Sequence, residues 1–598
     1  MESASVMPME SGAPESMVFR AASLAHLRQG LWNNRRRLVK NIKMPKISFK
    51  SPILIPAAFI VANIIKITVF NGLLIPEHNA GFVAQKLLMT SLMAGILYPV
   101  FYLAGSRALV TALYFLQAGY IAVNITYYLY FHTYLHPAQA AALLSEAFST
   151  AANSAVPLDW RILTSVLDLP PFIGLINRMG KLPRPSKRQR HAALVIVAAS
   201  FVAFTTVEFV RHAENRSFAD LVKDTYSGET PLIEGYGTFG ANLVSLAQSV
   251  VRHPWEEQLE YGGLRTAAAT GRPAPNFVII QVESMDSGIV NQKYRGAYVT
   301  PYLHSLAGSA VYYPFALSYH KGGGTSDSEF SILNSMEPLD CYPALKLPDY
   351  GYPNSLVASL KKSGYATLAF HGNRGSFYNR DAAFPRLGFS EFFDMAKTGL
   401  PENGWGLPDA DVFSFACETL RQAEKPFFAY VITMSSHEPF DSVYHYYRDP
   451  RFEGVRDKTV KNYFNSMSYV DKSLEAFVQE IRAGYGDTFI IITGDHAPNI
   501  LKDEYRQASF NDDNRFFEFV PLMIITPEGS AYRESSKAAS FLDIAPTVLE
   551  ASGAGGSLRT NGKNLLDRAE AGGPIPYRGG AFDRTLLFKK ALKSMSNQ

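Results

Sequence analysis

The chain has 598 residues, a formal net charge of +4, 47% hydrophobic residues and only 18% charged residues. This length predicts more than one domain, and the small net charge argues against a nucleic-acid-binding protein. Two cysteines are too few for a disulfide framework or a thiolate zinc site. Cys341 and Cys417 could form one bridge if they lie outside the cytoplasm, or they could be two free thiols.

Apolar segments dominate the first third of the chain. Residues 1–50 are polar at first and then basic, and they lack the short apolar core with a cleavage site that marks a secretory signal. Several apolar segments follow that are long enough, at roughly 20 residues, to cross the hydrocarbon layer of a membrane. We predict five spans, the fourth weakened by charged residues and prolines, at residues 53–74, 86–104, 108–131, 160–176 and 192–210.

Basic residues in short loops predict how these spans are oriented. Residues 20–50 and the loop 177–191 are both rich in arginine and lysine, so we expect both in the cytoplasm. An even number of crossings must separate them, which favours counting 160–176 as a span. Everything after about residue 211 then lies outside the cytoplasm. The alternative is that 160–176 is a re-entrant or interfacial segment.

Polar residues also fall within the first and the fifth predicted spans. Lys66 and Asn63 lie in the first span, and Glu208 lies near the end of the fifth. A charge inside a membrane helix is costly and often marks a functional site. We place Glu208 at the membrane interface, whereas Lys66 could face the helix bundle, extend to the interface or serve a function.

The sequence pattern changes at residue 275. Short β-rich runs then alternate with helical patterns, which predicts a mostly parallel sheet covered by helices on both faces. The predicted strands are Phe277–Val282, Ala366–Phe370, Phe427–Ile432, Phe489–Ile492 and Leu522–Ile525. We therefore predict a basic cytoplasmic segment at 1–50, a transmembrane domain at 51–211, a juxtamembrane connector at 212–274 and an extracytoplasmic α/β catalytic domain at 275–598.

Ionisable side chains follow four of these strands in turn. Glu283 follows the first, His371 the second, His437 the third, and the pair Asp495-His496 the fourth. Ligands bind beyond the carboxyl ends of the strands in such sheets, so these side chains are expected to meet there. Oxygen and nitrogen donors without a thiolate suit a divalent Mn, Mg or Zn ion.

A candidate nucleophile lies in the glycine-rich stretch Lys321–Phe330. Three glycines remove side chains where a phosphate-like group must approach the backbone, and the acidic residues that follow predict the first turn of a helix. A hydroxyl there, at Thr325, would face free N–H groups and the positive end of the helix dipole. The alternative is a glycine-rich turn that Thr325 or Ser326 merely caps.

At these residues the sequence resembles the lipoteichoic acid synthase family, in the sulfatase-like branch of the alkaline phosphatase superfamily. The resemblance extends over about 275–550 in the family's order, and the predicted anchor with an outside catalytic domain resembles the family too. The matching stretches are Val282–Ser284, Thr300–Leu303, Gly324–Phe330, His371–Asp381, Met434–Phe440, Thr493–His496 and Asp543–Thr547.

The resemblance implies a metal-dependent phosphoglycerol transferase of the bacterial plasma membrane. Glu283, Thr325, Asp495 and His496 would hold one divalent ion, typically Mn²⁺, with Mg²⁺ or Zn²⁺ as options. Thr325 would attack the phosphorus of phosphatidylglycerol, release diacylglycerol and carry a phosphoglycerol group. An acceptor hydroxyl on a polymer, glycolipid or glucan would then take that group.

The resemblance also implies substrate contacts. His437, with His371, would bind the phosphoglycerol group or handle protons, and Arg380 would hold the phosphate or glycerol, since an arginine fork suits a phosphate. Two positions depart from the family pattern. Gly324 replaces the family's lysine before the nucleophile. Tyr378, which the resemblance also implies as a substrate-binding residue, replaces the family's tryptophan and keeps an aromatic face. These two changes leave the head group and the acceptor open.

Three alternatives to this function differ in their sequence requirements. A sulfatase needs a cysteine or serine followed at fixed spacing by proline and arginine, and neither cysteine lies in such a motif. Phosphoethanolamine transferases share the anchored architecture but usually carry several disulfides. A non-catalytic binding protein would have lost a metal ligand, yet every ligand position and the nucleophile are filled.

Overall fold

The computed structural model describes residues 61–70, 91–92, 106–131, 160–178, 186–211 and 259–596, apart from 340–341, 348, 402–405, 513–514 and 571. The chain divides into two compact units, Met1–Val61 and Ala62–Gln598. Apart from Val61, all the features described below belong to the second unit.

The described part of the predicted transmembrane domain is helical. Its helices are α1 (Val61–Phe70), α2 (Arg107–Phe131), α3 (Trp160–Leu163), α4 (Leu169–Arg178) and α5 (Lys187–Arg211). Among the described residues one helix, α2, has a stretch long and apolar enough to cross a membrane. Apart from residues 91–92, the predicted span at 86–104 lies outside the described residues. Five spans therefore remain a prediction.

The predicted span at 160–176 is not one continuous helix. A turn at residues 164–168 separates α3 from α4. The ten residues of α4 rise only about 15 Å, half the thickness of a hydrocarbon core. Pro170 and Pro171 fall in the first turn of α4, where a missing N–H costs little. This break favours the re-entrant or interfacial interpretation over a straight span.

Polar side chains join α1 and α2 to this turn. Lys66 Nζ donates to Asp168 Oδ1 at 2.9 Å, and Tyr114 Oη donates to Asp168 Oδ2 at 2.5 Å. Gln117 Nε2 donates to Asn63 Oδ1 at 2.8 Å. Lys66 is only 7% exposed, so it faces the helix bundle rather than extending to the interface. The side chain of Glu208 lies outside the described residues.

Strands and helices alternate after residue 259, as predicted. The strands are β1 (Gly263–Ala269), β2 (Asn276–Val282), β3 (Lys293–Tyr294), β4 (Ala297–Tyr298), β5 (Val311–Leu317), β6 (Ala366–His371), β7 (Glu391–Phe393), β8 (Phe427–Ile432), β9 (Thr488–Gly494), β10 (Leu501–Lys502), β11 (Tyr505–Arg506), β12 (Ser509–Asp512), β13 (Arg515–Ile525), β14 (Tyr532–Arg533), β15 (Ala539–Ser540), β16 (Ala554–Thr560), β17 (Pro574–Tyr577) and β18 (Gly580–Asp583).

Helices cover this part of the chain between the strands. The α-helices are α6 (Pro301–Leu306), α7 (Thr325–Asn334), α8 (Leu356–Lys362), α9 (Arg380–Leu387), α10 (Met395–Thr398), α11 (Asp409–Gln422), α12 (Lys458–Gly484), α13 (Ile544–Ala551) and α14 (Arg584–Ser596). Short 3₁₀ helices lie at Ile289–Asn291, Ala344–Lys346, Phe377–Asn379, Ser442–His445, Pro450–Gly454 and Phe541–Asp543.

The main sheet is mixed, with a parallel part and an antiparallel part, whereas the sequence predicted a mostly parallel sheet. Strands β9, β2, β8, β6 and β7 lie side by side in that order and are all parallel. Beyond β9 the direction reverses, because β13 pairs antiparallel with both β9 and β5. The predicted strand Leu522–Ile525 is the end of β13 and so belongs to the antiparallel part. The four strands with ionisable side chains at their ends belong to the parallel part.

The sheet is buried on both faces. Alternate residues of β2 point to opposite sides, so Phe277 and Ile279 join one core cluster while Val278 and Ile280 join the other. All seven residues of β2 are buried, which is the pattern of a central parallel strand. The continuous apolar runs in the sequence therefore correspond to strands covered on both sides.

The β1–β16 pair ties part of the predicted connector to the C-terminal domain. Gly263 to Ala269 pair antiparallel with Thr560 to Ala554. Arg265 reinforces this contact through Glu550 and Glu570. The remainder of the domain boundaries stays a prediction.

The run Asp543–Thr547, one of the stretches that resemble the family, serves the fold. Asp543 accepts hydrogen bonds from both Nη atoms of Arg584 at 2.7 Å, and the two side chains are 0% and 2% exposed. Asp543 also accepts from the backbone N–H groups of Ser540 and Lys563. This carboxylate therefore holds α14 and the segment before α13 together.

Asp543→Ala is expected to lower the free energy of unfolding by about 3 to 5 kcal/mol, because it leaves the Arg584 guanidinium buried without its partner. Thermal unfolding of the purified full-length chain measures this loss. Asp349→Ala is the matched control, since it removes the exposed partner of Arg386 and should leave the unfolding midpoint nearly unchanged. Equal midpoints for the two variants would contradict the assignment.

Candidate metal centre and nucleophile

Two carboxylates and a histidine meet at the carboxyl ends of neighbouring strands. Glu283 follows β2, and Asp495 and His496 follow β9, which pairs directly with β2. One ligand atom from each of the three lies within 4.8 Å of the others. His496 Nε2 is 3.3 Å from Glu283 Oε1 and 3.7 Å from Asp495 Oδ2. The sequence prediction that these residues converge is thus matched by their positions.

The donor atoms suit a divalent cation. His496 Nδ1 donates to the carbonyl oxygen of Ala497 at 2.9 Å, so Nε2 is the ring nitrogen that faces the carboxylates, where it can donate to Glu283 when protonated or bind a cation when deprotonated. Asp495 Oδ2 is buried and has no hydrogen-bond partner among the described residues. Three electron-pair donors thus share one small space, an arrangement that a cation stabilises.

Electrostatics around these groups agree with that interpretation. Burial would raise the pKa of Glu283, but the hydrogen bond and charge of His496 hold that pKa below its usual range. Burial and the charge of Glu283 raise the pKa of Asp495 well above its usual value. Two buried carboxylates at this distance cannot both ionise comfortably without positive charge nearby.

Backbone and hydroxyl groups fix the two carboxylates. The N–H groups of Ser284 and His496 donate to Asp495 Oδ1 at 2.8 and 2.7 Å. Ser284 Oγ donates to Glu283 Oε1 at 3.1 Å, and Thr433 Oγ1 accepts from the Glu283 N–H at 2.9 Å. Neither residue was predicted to hold these carboxylates. Ser284 belongs to a stretch that resembles the family, and Thr433 directly follows the predicted strand Phe427–Ile432.

Thr325 is the first residue of α7, as the sequence predicts. Its Oγ1 donates to Glu283 Oε2 at 3.3 Å, so the candidate nucleophile touches the candidate metal centre. Ser328, one turn along, donates from Oγ to the carbonyl oxygen of Asp495 at 2.7 Å and ties α7 to the end of β9. The Thr325 side chain is partly exposed, whereas Glu283 and Asp495 are buried.

A local contact explains the presence of a glycine before Thr325 more specifically than the need for open space beside a phosphate. Asp327 Oδ2 accepts from the N–H groups of Lys321 and Gly323 at 2.9 and 2.8 Å, which folds the loop over the helix start. A Cβ on Gly323 would lie 2.2 Å from Asp327 Oδ1. Gly323 is therefore required by the acidic side chain that shapes the loop.

His437 and His371 lie at the ends of the next two strands. The loop with His437 is held by Asp409 Oδ1, which accepts from the N–H groups of Met434 and Ser435 at 2.7 and 3.1 Å. His437 is partly exposed, with Nδ1 2.8 Å from the Glu438 carbonyl oxygen. His371 is 2% exposed, and burial together with the charge of Arg380 lowers its pKa.

Arg380 is placed differently from a surface phosphate ligand. It is 1% exposed, and its Nε donates to Glu329 Oε2 at 2.9 Å while Nη2 also bonds that carboxylate. Its Nη1 donates to the Phe377 carbonyl oxygen at 3.1 Å. The guanidinium thus joins α7 to the Phe377–Asn379 turn, and a direct contact with substrate stays a prediction.

One pair near the centre was missed in the sequence. His320 stacks on His496 with ring centroids 4.4 Å apart, and its Nδ1 lies 3.2 Å from Glu518 Oε2. His320 follows β5 and Glu518 lies in β13, two strands that pair antiparallel. The rule that ligands bind beyond the ends of strands would have identified His320 if the run Val311–Leu317 had been predicted as a strand.

The cysteines lie away from these residues or outside the description. Cys417 is a buried free thiol on α11, and burial raises its pKa to about 12. Cys341 is not among the described residues. One bridge and two free thiols therefore both remain predictions from the sequence.

Comparisons with known proteins agree with this architecture. The sulfatase family profile matches residues 275–554. The chain is 31% identical over 329 residues to a lipoteichoic acid synthase of Staphylococcus saprophyticus, covering 51% of this chain and 50% of that protein. It is 29% identical over 363 residues to lipoteichoic acid synthase 1 of Bacillus subtilis, covering 57% of this chain and 54% of that protein. The chain thus spans about half the length of the curated relatives it matches.

A solved structure is similar in fold over more of the chain. It is the integral membrane protein lipooligosaccharide phosphoethanolamine transferase A of Neisseria meningitidis, with a TM-score of 0.56 and 15% identity, covering 85% of this chain and 96% of that one. At this identity the similarity concerns the fold alone. The match to the sulfatase family thus covers residues 275–554, and the chain is similar in sequence to lipoteichoic acid synthases.

Proposed function

We propose that the chain is a membrane-bound phosphoglycerol transferase that moves glycerol phosphate from phosphatidylglycerol to an extracytoplasmic polymer, glycolipid or glucan through a covalent intermediate on Thr325. The observation that carries this proposal is the contact between Thr325 Oγ1, at the start of α7, and Glu283 in the three-residue donor set. Sequence similarity to lipoteichoic acid synthases supports the choice of phosphatidylglycerol.

Glu283, Asp495 and His496, with the Thr325 hydroxyl, would hold one divalent ion, and we propose Mn²⁺. When bound, such an ion lowers the pKa of a hydroxyl and offsets charge on phosphoryl oxygens. Glu283 orients Thr325 Oγ1 by accepting its hydrogen bond at 3.3 Å. The positive end of the α7 dipole favours an anionic group beside that oxygen.

The reaction balances in two displacements. In the first, a bond forms between Thr325 Oγ1 and phosphorus, and the bond from phosphorus to the diacylglycerol oxygen breaks. That oxygen takes a proton and diacylglycerol leaves, while the threonine hydroxyl gives up its proton. In the second, an acceptor hydroxyl attacks phosphorus and the threonine oxygen is released. Partly exposed His437 is our candidate for the proton transfers, because it follows β8 at the same edge of the sheet as Glu283 and an imidazole can take up and give back a proton.

The membrane location is part of the same proposal. Helix α2 is apolar enough to cross a bilayer, and the reaction needs a lipid substrate at a membrane surface. We propose a multi-pass anchor in the bacterial plasma membrane, with the domain at 275–598 on the extracytoplasmic side. This arrangement would place Thr325 where phosphatidylglycerol head groups are present.

Thr325→Ala is expected to reduce diacylglycerol release from labelled phosphatidylglycerol by about 1000-fold or more, because Thr325 is partly exposed at Glu283 whereas the Ser284 hydroxyl on the same carboxylate is buried. Thr325→Ser keeps a hydroxyl and should retain part of the activity. Thr419→Ala removes a hydroxyl that bonds only within α11 at its Phe415 carbonyl, and it should behave like the unchanged chain. Full turnover in Thr325→Ala would refute the nucleophile, and release from phosphatidylethanolamine alone would refute the donor.

Asp495→Ala is expected to lower bound manganese from about one ion per chain to a small fraction of that, because it removes one of three close donors. Metal analysis after dialysis against Mn²⁺ measures the occupancy. Asp349→Ala removes an exposed carboxylate outside the three-residue donor set and serves as the control. Unchanged occupancy in Asp495→Ala would show that the ion is held elsewhere.

A further inference from the structure

Helix α14 exposes two large apolar side chains on the face that points away from the domain. Its inner face packs into the core, where Leu587, Phe588 and Ala591 are buried. On the outer face, Leu586 and Leu592 are 47% and 52% exposed. A single exposed leucine needs no explanation, but two on one short helix face form a patch that a partner could cover.

Two lysines share this outer face. Residues 586, 589 and 593 follow one another at i, i+3 and i+7, a spacing that places them on one side of an α-helix. Lys589 and Lys593 are exposed, and neither forms an ion pair with another residue in the described part of the chain. The outer face therefore combines apolar surface with unpaired positive charge. We call it the α14 face, and it consists of Leu586, Lys589, Leu592 and Lys593.

The hairpin of β12 and β13 extends past the main sheet beside the candidate metal centre. Strand β13 begins at Arg515, but its first residue that pairs with β9 is Leu522. Within the projecting part, Glu518 contacts His320, which stacks on the candidate metal ligand His496. The hairpin therefore projects from the carboxyl edge of the sheet, the edge that also carries the candidate nucleophile.

Helix α14 packs against this projecting hairpin. Lys590 Nζ donates to the carboxylate of Asp512, the last residue of β12. At the start of the helix, Arg584 Nη1 donates to the carbonyl oxygen of Ala538, directly before β15, which pairs with the end of β5. Since β5 and β9 both run antiparallel to β13, the end of β5 belongs to the carboxyl edge too. The α14 face thus lies at the same edge of the sheet as the candidate active site.

We propose that the α14 face docks on an anionic membrane surface and holds the carboxyl edge of the sheet against its lipid substrate. This inference rests on the proposed function and deepens it, because phosphatidylglycerol presents its phosphate at such a surface. The leucines would enter the head-group region, and the lysines would face anionic head groups. A second copy of the chain would also cover the leucines, but a symmetric contact would bring lysines of like charge together.

Quenching by lipids with brominated acyl chains tests the docking in the full-length chain, reconstituted in vesicles of phosphatidylglycerol and phosphatidylcholine. Leu592→Trp adds a tryptophan to the α14 face, and its emission is the difference between this variant and the unchanged chain, which has four tryptophans. Brominated lipids are expected to quench that emission by about half or more, because docked apolar side chains enter the boundary of head groups and acyl chains. Glu424→Trp is the control, since Glu424 is exposed shortly before β8, at the opposite edge of the sheet, and should be quenched several times less.

Equally weak quenching at residues 592 and 424 would overturn the docking. The charge of the surface is tested by vesicles of phosphatidylcholine alone and by Lys589→Glu combined with Lys593→Glu, both of which should weaken the quenching of Leu592→Trp. Unchanged quenching in both cases would overturn the anionic partner. A dimer in detergent that dissociates in the double variant Leu586→Ser, Leu592→Ser would identify a second copy as the partner and would also overturn the proposal.

Two forms of the lipid substrate test the consequence for the reaction. The double variant Leu586→Ser, Leu592→Ser should release diacylglycerol about fivefold to tenfold more slowly from phosphatidylglycerol in vesicles, because the apolar contact with the surface is lost. It should act normally on a short-chain phosphatidylglycerol that is monomeric in solution. Leu264→Ser is the control, since it removes a 70% exposed leucine from β1. Equal losses on both substrates would show that the leucines serve the fold or the catalytic centre instead.

Quenching needs no turnover, so the docking and the proposed function can fail separately. If brominated lipids quench Leu592→Trp as expected but the unchanged chain releases no diacylglycerol, the proposed function fails and the docking stands. If the unchanged chain releases diacylglycerol and residues 592 and 424 are quenched alike, only the docking fails. Thermal unfolding midpoints confirm that each variant is folded.

Discussion

Two carboxylates that cannot move apart set the chemistry of this domain. Glu283 and Asp495 follow β2 and β9, and the last residues of those strands, Val282 and Gly494, are paired in a parallel ladder. Separating the carboxylates would break that ladder, so their repulsion must be offset where they stand. Backbone N–H groups satisfy Asp495 Oδ1, but its Oδ2 is left for another partner. A divalent cation is the simplest group that satisfies both carboxylates and the His496 nitrogen together.

The helix that carries Thr325, the proposed nucleophile, is attached to this point from two directions. Ser328 binds the carbonyl oxygen of Asp495, and Glu329, the next residue, binds Arg380 in the turn that carries Tyr378. Helix α7 therefore cannot shift relative to the carboxylates without breaking a buried hydrogen bond or a buried ion pair. Such rigidity suits a reaction in which a hydroxyl must approach phosphorus along one line.

Much of this site could be predicted from the sequence, because parallel strands deliver their following residues to one edge. Glu283, His371, His437 and Asp495 were found in this way, and Thr325 was found from the glycines and acidic residues that mark a helix start. The sequence predicted a mostly parallel sheet because an apolar run does not indicate whether a strand is parallel or antiparallel to its neighbours. Both β9 and β13 are apolar runs of this kind.

The contacts that were not predicted depend on distant parts of the chain. Glu518 reaches His320 only because β13 runs antiparallel to β5. A matching stretch identified Arg380 but could not show that its guanidinium turns inward to Glu329. At the break between α3 and α4, Asp168 pairs with Lys66, which lies in a different predicted span.

A Cβ added to Gly324 would lie 2.8 Å from Tyr378 Oη, and this close approach also constrains how this sequence can change over time. A side chain gained first at position 324 would meet the phenol, whereas a smaller residue gained first at position 378 would leave a gap beside the nucleophile. Either single step passes through a less fit intermediate. The two positions are therefore expected to be inherited as a pair, so that descendants that keep Tyr378 also keep Gly324.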